Sequence, residues 1–255
     1  MSLTLDRVLE LQRSNLRAFM GVVAEGADGG SLLEHDGVTG VVVPAIPERS
    51  VVNCVTYDDP ELLAAALPAL ASAYDDAGVR AWTVWTPDVD SEAIATLEAA
   101  GHRLDASPAA MVLELPAFEP LDPGDLDWDD AASPRDVGWA NDLAYGLEPG
   151  TFARALSDQR YEHPVRLYQA RVDGDVACVV QTVDCDGDCG FYLVATLPDH
   201  RGKALAKRLM SVALTEARER GCATSTLQAT KKGYRVYERL GYRTFGRLHM
   251  YERRK

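Results

Sequence analysis

The chain has 255 residues, 47% of them hydrophobic and 25% charged, which is enough for one large or two smaller domains with real cores. Its formal net charge of −13 argues against nucleic acid as a partner, because nucleic-acid binding requires a basic face. No apolar run approaches the roughly 20 residues that span a membrane, so no membrane association is expected either.

The first twenty residues predict an amphipathic helix. Apolar side chains recur there at helical spacing with charged residues between them, at Leu5, Val8, Leu9, Leu16 and Phe19. A secretory leader would instead carry a continuous apolar stretch. We therefore expect a cytoplasmic protein.

The cysteine pattern agrees with a reducing compartment and gives no sign of a metal. Cys54, Cys178 and Cys222 lie in apolar or small-residue stretches and are expected to be buried. Cys185 and Cys189 flank an Asp-Gly hairpin turn without companion Cys or His residues at ligand spacing. We expect no metal site.

An internal repeat divides the chain into two halves. Leu97-Glu-Ala-Ala-Gly-His-Arg103 matches Tyr237-Glu-Arg-Leu-Gly-Tyr-Arg243, and each is followed by a segment with a methionine, Met111 or Met250. The match predicts two homologous α+β units at about 1–116 and 135–255. The stretch 117–134 between them is rich in Pro, Asp and Gly and is expected to be a linker.

The second half alternates between strand and helix patterns. They predict a mixed sheet with helices on both faces. Asp-Gly turns at 173–174 and 186–187 separate three of the strands. The predicted helices are 136–145, 151–159, 203–220 and 231–239, and the predicted strands are 166–172, 176–184, 190–196, 223–229 and 243–252.

The most informative segment is Val194–Arg208, which runs from an apolar strand through a Pro-Asp-His-Arg-Gly turn into a helix. The helix has an apolar stripe made of Leu205, Ala206, Leu209, Met210, Ala213 and Ala217. Free N–H groups at a helix start and the basic residues Arg201, Lys203 and Lys207 favour an anion, most simply a phosphate. The alternative is an ordinary turn with solvated basic residues.

The first half has a different sequence at the corresponding place. Its turn reads Tyr57-Asp-Asp-Pro60, and the carboxylates of Asp58 and Asp59 would repel a phosphate. We therefore expect the first half to be a structural or substrate-shaping partner without a cofactor of its own.

About 120 residues of the C-terminal half resemble the GNAT superfamily of acyl-CoA-dependent N-acyltransferases. The run Arg201-Gly-Lys-Ala204-Leu-Ala206 is similar to the family signature Arg/Gln-x-x-Gly-x-Gly/Ala. The resemblance implies that Arg201, Gly202, Lys203, Ala204, Leu205 and Ala206 hold the CoA pyrophosphate. Ala204 stands where the family usually has Gly, and we expect helical dihedrals there, which suit Ala.

Two further segments carry the resemblance. Val194, Ala195 and Thr196 resemble the strand end whose backbone pairs with the pantetheine arm, and a strand-end amide there is expected to face the thioester carbonyl oxygen. Thr230, seven residues before Tyr237, stands where the family has Asn at the cofactor. Tyr237 matches the residue that protonates the departing CoA thiolate, a role that suits a phenol with an ordinary pKa of about 10.

The resemblance implies a fold of class α/β (α+β mixed). It would consist of two tandem GNAT-like domains, each a mixed, mostly antiparallel twisted sheet with helices on both faces. Residues 1–116 would form a degenerate domain without the phosphate turn, and residues 135–255 would bind acetyl-CoA as co-substrate.

The general base and the acceptor pocket are less clear from sequence. Phe191 and Tyr192 replace the carboxylate often found on the strand before the turn. Candidate bases, each of which also suits a solvated surface position, are Glu148, Asp158, Glu162, His163 and His200. Tyr145, Trp139 and Phe152 are candidates for an acceptor pocket, although apolar helix faces usually belong to the core.

The leading hypothesis is an N-acetyltransferase that moves an acetyl group from acetyl-CoA directly to a primary amine of a small molecule or peptide, with Tyr237 as the acid. A catalytically idle acyl-CoA-binding regulator is the alternative, and a scaffold module is the third possibility. The sequence does not identify the acceptor amine, and it allows a homodimer.

Overall fold

The computed structural model describes residues 3–156 and 164–255. Over these residues it contains helices and strands arranged as a large mixed sheet covered by helices. The helices are α1 (Leu5–Gly26), α2 (Pro60–Asp76), α3 (Ser91–Ala99), α4 (Pro134–Tyr145), α5 (Leu205–Glu219) and α6 (Tyr234–Glu238). The strands are β1 (Ser31–His35), β2 (Val38–Val42), β3 (Cys54–Tyr57), β4 (Ala81–Pro87), β5 (Arg103–Ala106), β6 (Ala109–Glu114), β7 (Asp127–Asp129), β8 (Val165–Val172), β9 (Asp175–Cys185), β10 (Asp188–Thr196), β11 (Thr224–Ala229) and β12 (Arg243–Arg254).

The same strand–helix–strand unit occurs once in each half. β3 and β4 pair in parallel with α2 between them along the chain, and β10 and β11 pair in parallel with α5 between them. The other strand pairs named in the sheet are antiparallel. α2 and α5 are followed by Gly78 and Gly221, which have φ of +72° and +97° and end their helices in the manner that glycine favours. The mixed, mostly antiparallel sheet expected from sequence is confirmed.

The two halves exchange their last strands. β6, the final strand of the first half, lies between β11 and β12 in the sheet of the second half. In return, residues 248–254 of β12 pair with β4, and the same part of β12 also pairs with β5. The repeat suggested two self-contained sheets. The structure instead completes each sheet with a strand from the other half.

Apolar clusters hold these elements, and three of them are large. α2 packs on the sheet of the first half through Leu63, Leu67 and Leu70, and α5 packs on that of the second half through Leu209 and Leu214. The third cluster joins the halves and contains residues from α1, β2, β4, β9 and β12. The buried members of the α5 stripe confirm its predicted apolar face, and Val8, Leu16 and Phe19 are the most buried of the apolar residues predicted for α1.

Several local predictions can be compared with the structure. The Asp-Gly turns at 173–174 and 186–187 link β8 to β9 and β9 to β10, as predicted, with positive φ at all four residues. Within the described part of the helix expected at 151–159, residues 151–156, the structure has a 3-10 turn at Phe152–Arg154 instead of an α-helix, and the later candidates Asp158, Glu162 and His163 lie outside the described residues. The segment 117–134 contains β7, which pairs with β8 at the edge of the second sheet.

The cysteines are free, and Cys54, Cys178 and Cys222 are buried as expected. Among the described residues no helix is long and apolar enough to cross a membrane. Within the same ranges, no cluster of three or more His, Cys, Asp or Glu side chains is placed to hold a metal ion.

Candidate active site

A cleft opens where β10 and β11 diverge. The two strands pair over three residues only, Asp188–Gly190 with Thr224–Thr226, and no residue of β11 pairs with β10 beyond Gly190. One edge of β10 stays bonded to β9 up to Thr196. The other edge therefore presents backbone N–H and C=O groups to the cleft, where a ligand with amide groups can pair with them.

A cavity of about 990 Å³ fills this cleft and continues between the two halves. The second half contributes residues 191–194 of β10, the end of β11 and Tyr237. The first half contributes the opposite wall, from α1, β4 and the turn between β5 and β6. This volume is at the upper end of the range for small-molecule sites.

A bulge in β10 shapes the floor of the cavity. The register to β9 shifts between Tyr192 and Ala195, and Leu193 adopts a positive φ of +49°. A non-glycine residue in this left-handed region costs on the order of 1–2 kcal/mol, and such strain concentrates at functional sites. The buried Asn141 amide donates to the Leu193 carbonyl at 3.0 Å and so fixes the bulge.

The N-terminus of α5 has no side-chain cap. Its N-cap residue is Ala204, and no side chain accepts from the first backbone N–H groups of the helix. Ala204 has φ +57° and ψ +17°, in the left-handed region. The expectation of helical dihedrals at Ala204 was therefore wrong, and the helix begins at Leu205 rather than at 203. The family signature usually has glycine at this position. Glycine adopts the left-handed conformation without strain, and it also leaves more space because it has no Cβ.

The equivalent terminus in the first half is closed by its own side chain. Asp59 is the N-cap of α2, and its carboxylate accepts from the backbone N–H groups of Glu61 and Leu62 at 2.8 and 3.4 Å. The neighbouring Asp58 carboxylate pairs with Arg13 and Arg17. An anion is already present at this helix start, which leaves no place for a phosphate.

Basic side chains surround the open terminus of α5. Arg201 donates to the carbonyl oxygens of Thr196 at 3.3 Å and Ala144 at 2.6 Å, and it thereby ties the turn to the end of α4. Lys203 is exposed beside it. Tyr145, next to Ala144, lines the cavity, so the turn and the cavity share a border.

Tyr237 lies on α6 and reaches the cavity from the side of the second half. Its hydroxyl has no hydrogen-bond partner within the described ranges, and its ring packs edge-on against Tyr242 at 6.2 Å between centroids. Burial raises the pKa of Tyr237 above its ordinary value, with a further contribution from the neighbouring Tyr145. The phenol is therefore protonated throughout the neutral range and can donate a proton into the cavity.

The other predicted cofactor residues fall into three groups. Val194 and Thr230 line the cavity together with Tyr237. Ala195 and Thr196 pair with Val179 and Cys178 of β9 instead, and the Thr196 hydroxyl contacts the Cys178 sulfur at 3.3 Å. Residues 201–206 lie at the start of α5, where Leu205 is buried in the core and Ala206 is half-buried.

Comparison with known proteins agrees with this geometry. Residues 128–242 match the model of the acetyltransferase (GNAT) family. The chain thus contains a GNAT-family domain over residues 128–242.

Solved structures with this fold match nearly the whole chain. A GCN5-related N-acetyltransferase from Kribbella flavida is 18% identical, with a TM-score of 0.64 over 92% of this chain and 93% of that one. A GCN5-related N-acetyltransferase from Sphaerobacter thermophilus is 19% identical, with a TM-score of 0.59 over 87% and 82%. A tandem GNAT protein from the clavulanic acid biosynthesis pathway is 14% identical, with a TM-score of 0.62 over 96% and 93%. Comparison with curated proteins finds no match.

GNAT proteins use an acyl-CoA as co-substrate. Two of the candidate bases, Glu148 and His200, belong to the described residues and can be compared with the cavity. Glu148 is exposed and does not line the cavity. His200 lies in the 3-10 turn before Arg201, with a buried Nδ1 that has no partner in the described chain. Neither contacts the cavity, so neither is placed to accept a proton from an amine bound there.

Two of the three aromatic candidates for an acceptor pocket lie at the cavity. Tyr145 and Phe152 line the cavity. Trp139 is 42% exposed and does not line it, so that expectation was wrong. α4 turns Trp139 toward solvent while Asn141, two residues later, points at β10.

Sequence reasoning missed the charged residues that the first half adds to the cavity. They are Arg49, in the loop between β2 and β3, and Asp105, at the end of β5. Arg247 of β12 lies near them and donates to the Ser107 carbonyl. No motif marks these positions, because strand exchange and the packing of the halves bring them to the cavity.

Proposed function

We propose that this GNAT protein is an N-acetyltransferase that moves an acetyl group from acetyl-CoA to a primary amine in the cleft between β10 and β11. One observation carries the proposal: α5 starts with uncapped backbone N–H groups and basic neighbours, whereas the equivalent α2 is capped by Asp59. A helix of 15 residues with a free N-terminus suits a pyrophosphate. The proposal therefore assigns one cofactor site per chain, in the second half.

The residues at the cleft suit the rest of an acyl-CoA. The edge of β10 beyond Gly190 offers unpaired backbone groups to the amides of a pantetheine arm. Acetyl-CoA would supply an activated thioester carbonyl at the bulge around Leu193. Backbone N–H groups held by the bulge stabilise negative charge on the carbonyl oxygen, since they are already oriented by the pairing of β10 with β9.

Tyr237 is the proposed acid. In direct transfer an N–C bond forms and the thioester C–S bond breaks, the amine releases one proton to water, and Tyr237 donates one proton to the sulfur. Tyr237 then regains a proton from water. Its raised pKa keeps the phenol protonated in the neutral range, so a proton is available for the departing thiolate, whose thiol has an ordinary pKa of about 8.5, and the return of a proton from water to Tyr237 completes the step.

The test of cofactor binding is a calorimetric titration with acetyl-CoA and with free CoA. We expect one site per chain, and at least a tenfold loss of affinity in Lys203→Glu and Arg201→Glu because each reverses a charge at the turn. The matched control is Arg135→Glu, which reverses an exposed charge on α4 outside the cavity and should bind like the wild type. Absence of binding, or equal losses in all three variants, would contradict the site.

A second function is favoured by one feature of the cavity. Asp105 is the one carboxylate that lines it within residues 3–156 and 164–255, and no histidine of those ranges does. A protein that binds acyl-CoA without transferring the acyl group would show this pattern. Acetyl-CoA binding together with no turnover over a panel of primary amines would support that regulator and overturn the transferase.

A further inference from the structure

The cavity wall opposite β10, built from the first half and the exchanged strand β12, is mainly apolar. Leu16 and Phe19 of α1, Trp85 of β4 and Met250 of β12 all line it. The Phe19 ring stacks on Tyr192 with 4.0 Å between centroids, which joins this wall to β10. An acceptor with an apolar or aromatic body would bury apolar surface here, which favours its binding.

The charges on this wall are mostly positive, although the chain as a whole carries −13. Arg49 and Arg247 line the cavity there, against a single carboxylate, Asp105. The Asp105 carboxylate is exposed and interacts with Arg254 outside the cavity. The described part of the chain places no carboxylate within 4.0 Å of Arg49.

Arg49 is half-buried beside apolar residues, and no carboxylate of residues 3–156 and 164–255 pairs with its guanidinium, an arrangement that is costly unless an anion binds there. It belongs to the loop that precedes β3, and four strands separate β3 from β10 in the sheet. The pyrophosphate turn at α5 follows β10. The charge of Arg49 is therefore on the wall opposite the strand that leads into the cofactor turn.

We infer that the acceptor is an amine with an apolar body and an anionic group, and that Arg49 binds the anion. The inference rests on the proposed transferase function and names the substrate class of that site. A guanidinium offers a planar pair of donors that matches a carboxylate, and low local polarity strengthens the contact. The first half then selects the acceptor, while the second half holds the acyl donor.

The experiment compares two isosteric amines, 4-(2-aminoethyl)benzoate and 4-(2-aminoethyl)benzamide, which differ in charge but hardly in shape. Calorimetry on the CoA-saturated protein gives their affinities, and steady-state assays with acetyl-CoA give kcat/KM. We expect the benzoate to be favoured about tenfold in both. Arg49→Gln should weaken the benzoate about tenfold and leave the benzamide within twofold, and Arg49→Lys should fall between. Arg135→Gln, on the exposed side of α4, should keep the preference.

The two proposals fail in different ways. If both amines are acetylated equally, or the benzoate preference survives Arg49→Gln, the anion site is overturned and the transferase function stands. If the benzoate binds in an Arg49-dependent manner without turnover, the anion site is supported and the transferase function is overturned. A thermal unfolding profile like that of the wild type confirms that each Arg49 variant is folded.

Discussion

The amide of Asn15 donates to the carboxylate of Asp188, with 3.0 Å between Nδ2 and Oδ2. The contact joins α1 of the first half to the start of β10 in the second. Thr224 and Thr226 of β11 donate to the same carboxylate at 2.7 and 2.6 Å. Asp188 thus binds both strands at the point from which they diverge, and Tyr192, whose ring lines the cavity, donates to Asn15 at 3.1 Å.

Asp188 should make stability depend on pH. It is fully buried, and burial raises its pKa to about 6 against the hydrogen bonds that lower it. The unfolded value is about 3.9, so between roughly pH 4 and pH 6 the folded protein retains a proton that the unfolded chain has released. The stabilisation is fully present below pH 4 and is lost as pH rises through this window. The free energy of unfolding should fall by about 3 kcal/mol, because a shift of about two pKa units corresponds to about 1.36 kcal/mol per unit.

Asp188→Asn removes this titration. We expect the difference in unfolding free energy between wild type and variant to shift by about 3 kcal/mol from pH 4 to pH 8, in favour of the variant at high pH. Urea unfolding at several pH values measures it. Asp186→Asn, an exposed carboxylate in the adjoining turn, is the control and should follow the wild type at every pH. A parallel pH profile for Asp188→Asn would contradict the assignment.

The strand exchange makes each half dependent on the other for folding. A fragment of residues 1–116 keeps β4 and β5 but lacks the strand that pairs with both, and a fragment of residues 117–255 keeps β11 and β12 without β6. We expect neither to unfold cooperatively alone, because each exposes unpaired inner strand edges. Mixed in equal amounts, they should form a one-to-one complex with the far-ultraviolet spectrum of the whole chain. A sharp thermal transition in either fragment alone would show a self-sufficient half.

Local patterns predicted the local structure well. The α5 stripe depends on side chains one turn apart, and the Asp-Gly hairpin turns depend on residues that accept positive φ. The repeat around Gly101 and Gly241 likewise marks two helix ends of the same kind, with φ +90° and +97°. These features depend on a few neighbouring residues, so the sequence of one chain is enough to predict them.

Long-range features could not be predicted in the same way. β6 is apolar and β12 is rich in arginine, and neither composition says which strands they pair with, so the exchange has no local sign. Arg49 and Trp85 reach the cavity only through that packing. The conformation of Ala204 is a different case: the glycine usual at this position in the family indicates a left-handed residue, and the expectation of a helical Ala overlooked it.

Ala204→Gly should stabilise the protein. Ala204 has φ +57°, which costs a residue with a Cβ on the order of 1 kcal/mol, and glycine adopts it freely. Part of the gain is offset by the greater freedom of glycine in the unfolded chain. Ala206→Gly, the same chemical change two residues later inside α5, should destabilise by about 0.5–1 kcal/mol. Chemical denaturation of both variants gives the two signs, and equal destabilisation by both would contradict the left-handed assignment.

Tyr237→Phe should slow catalysis and leave stability almost unchanged. The hydroxyl has no hydrogen-bond partner in the described chain, so its removal breaks no contact, while loss of an acid costs about 10²-fold in kcat. KM for acetyl-CoA should change little, since the ring remains. Tyr234→Phe on the same helix is the matched control: its hydroxyl bonds to Thr244 at 3.0 Å, away from the cavity, so activity should persist.

Because the raised pKa keeps Tyr237 protonated, the wild-type rate should not fall between pH 8 and pH 10 through ionisation of this group. Equal rates for wild type and Tyr237→Phe over that range would assign the proton to another donor.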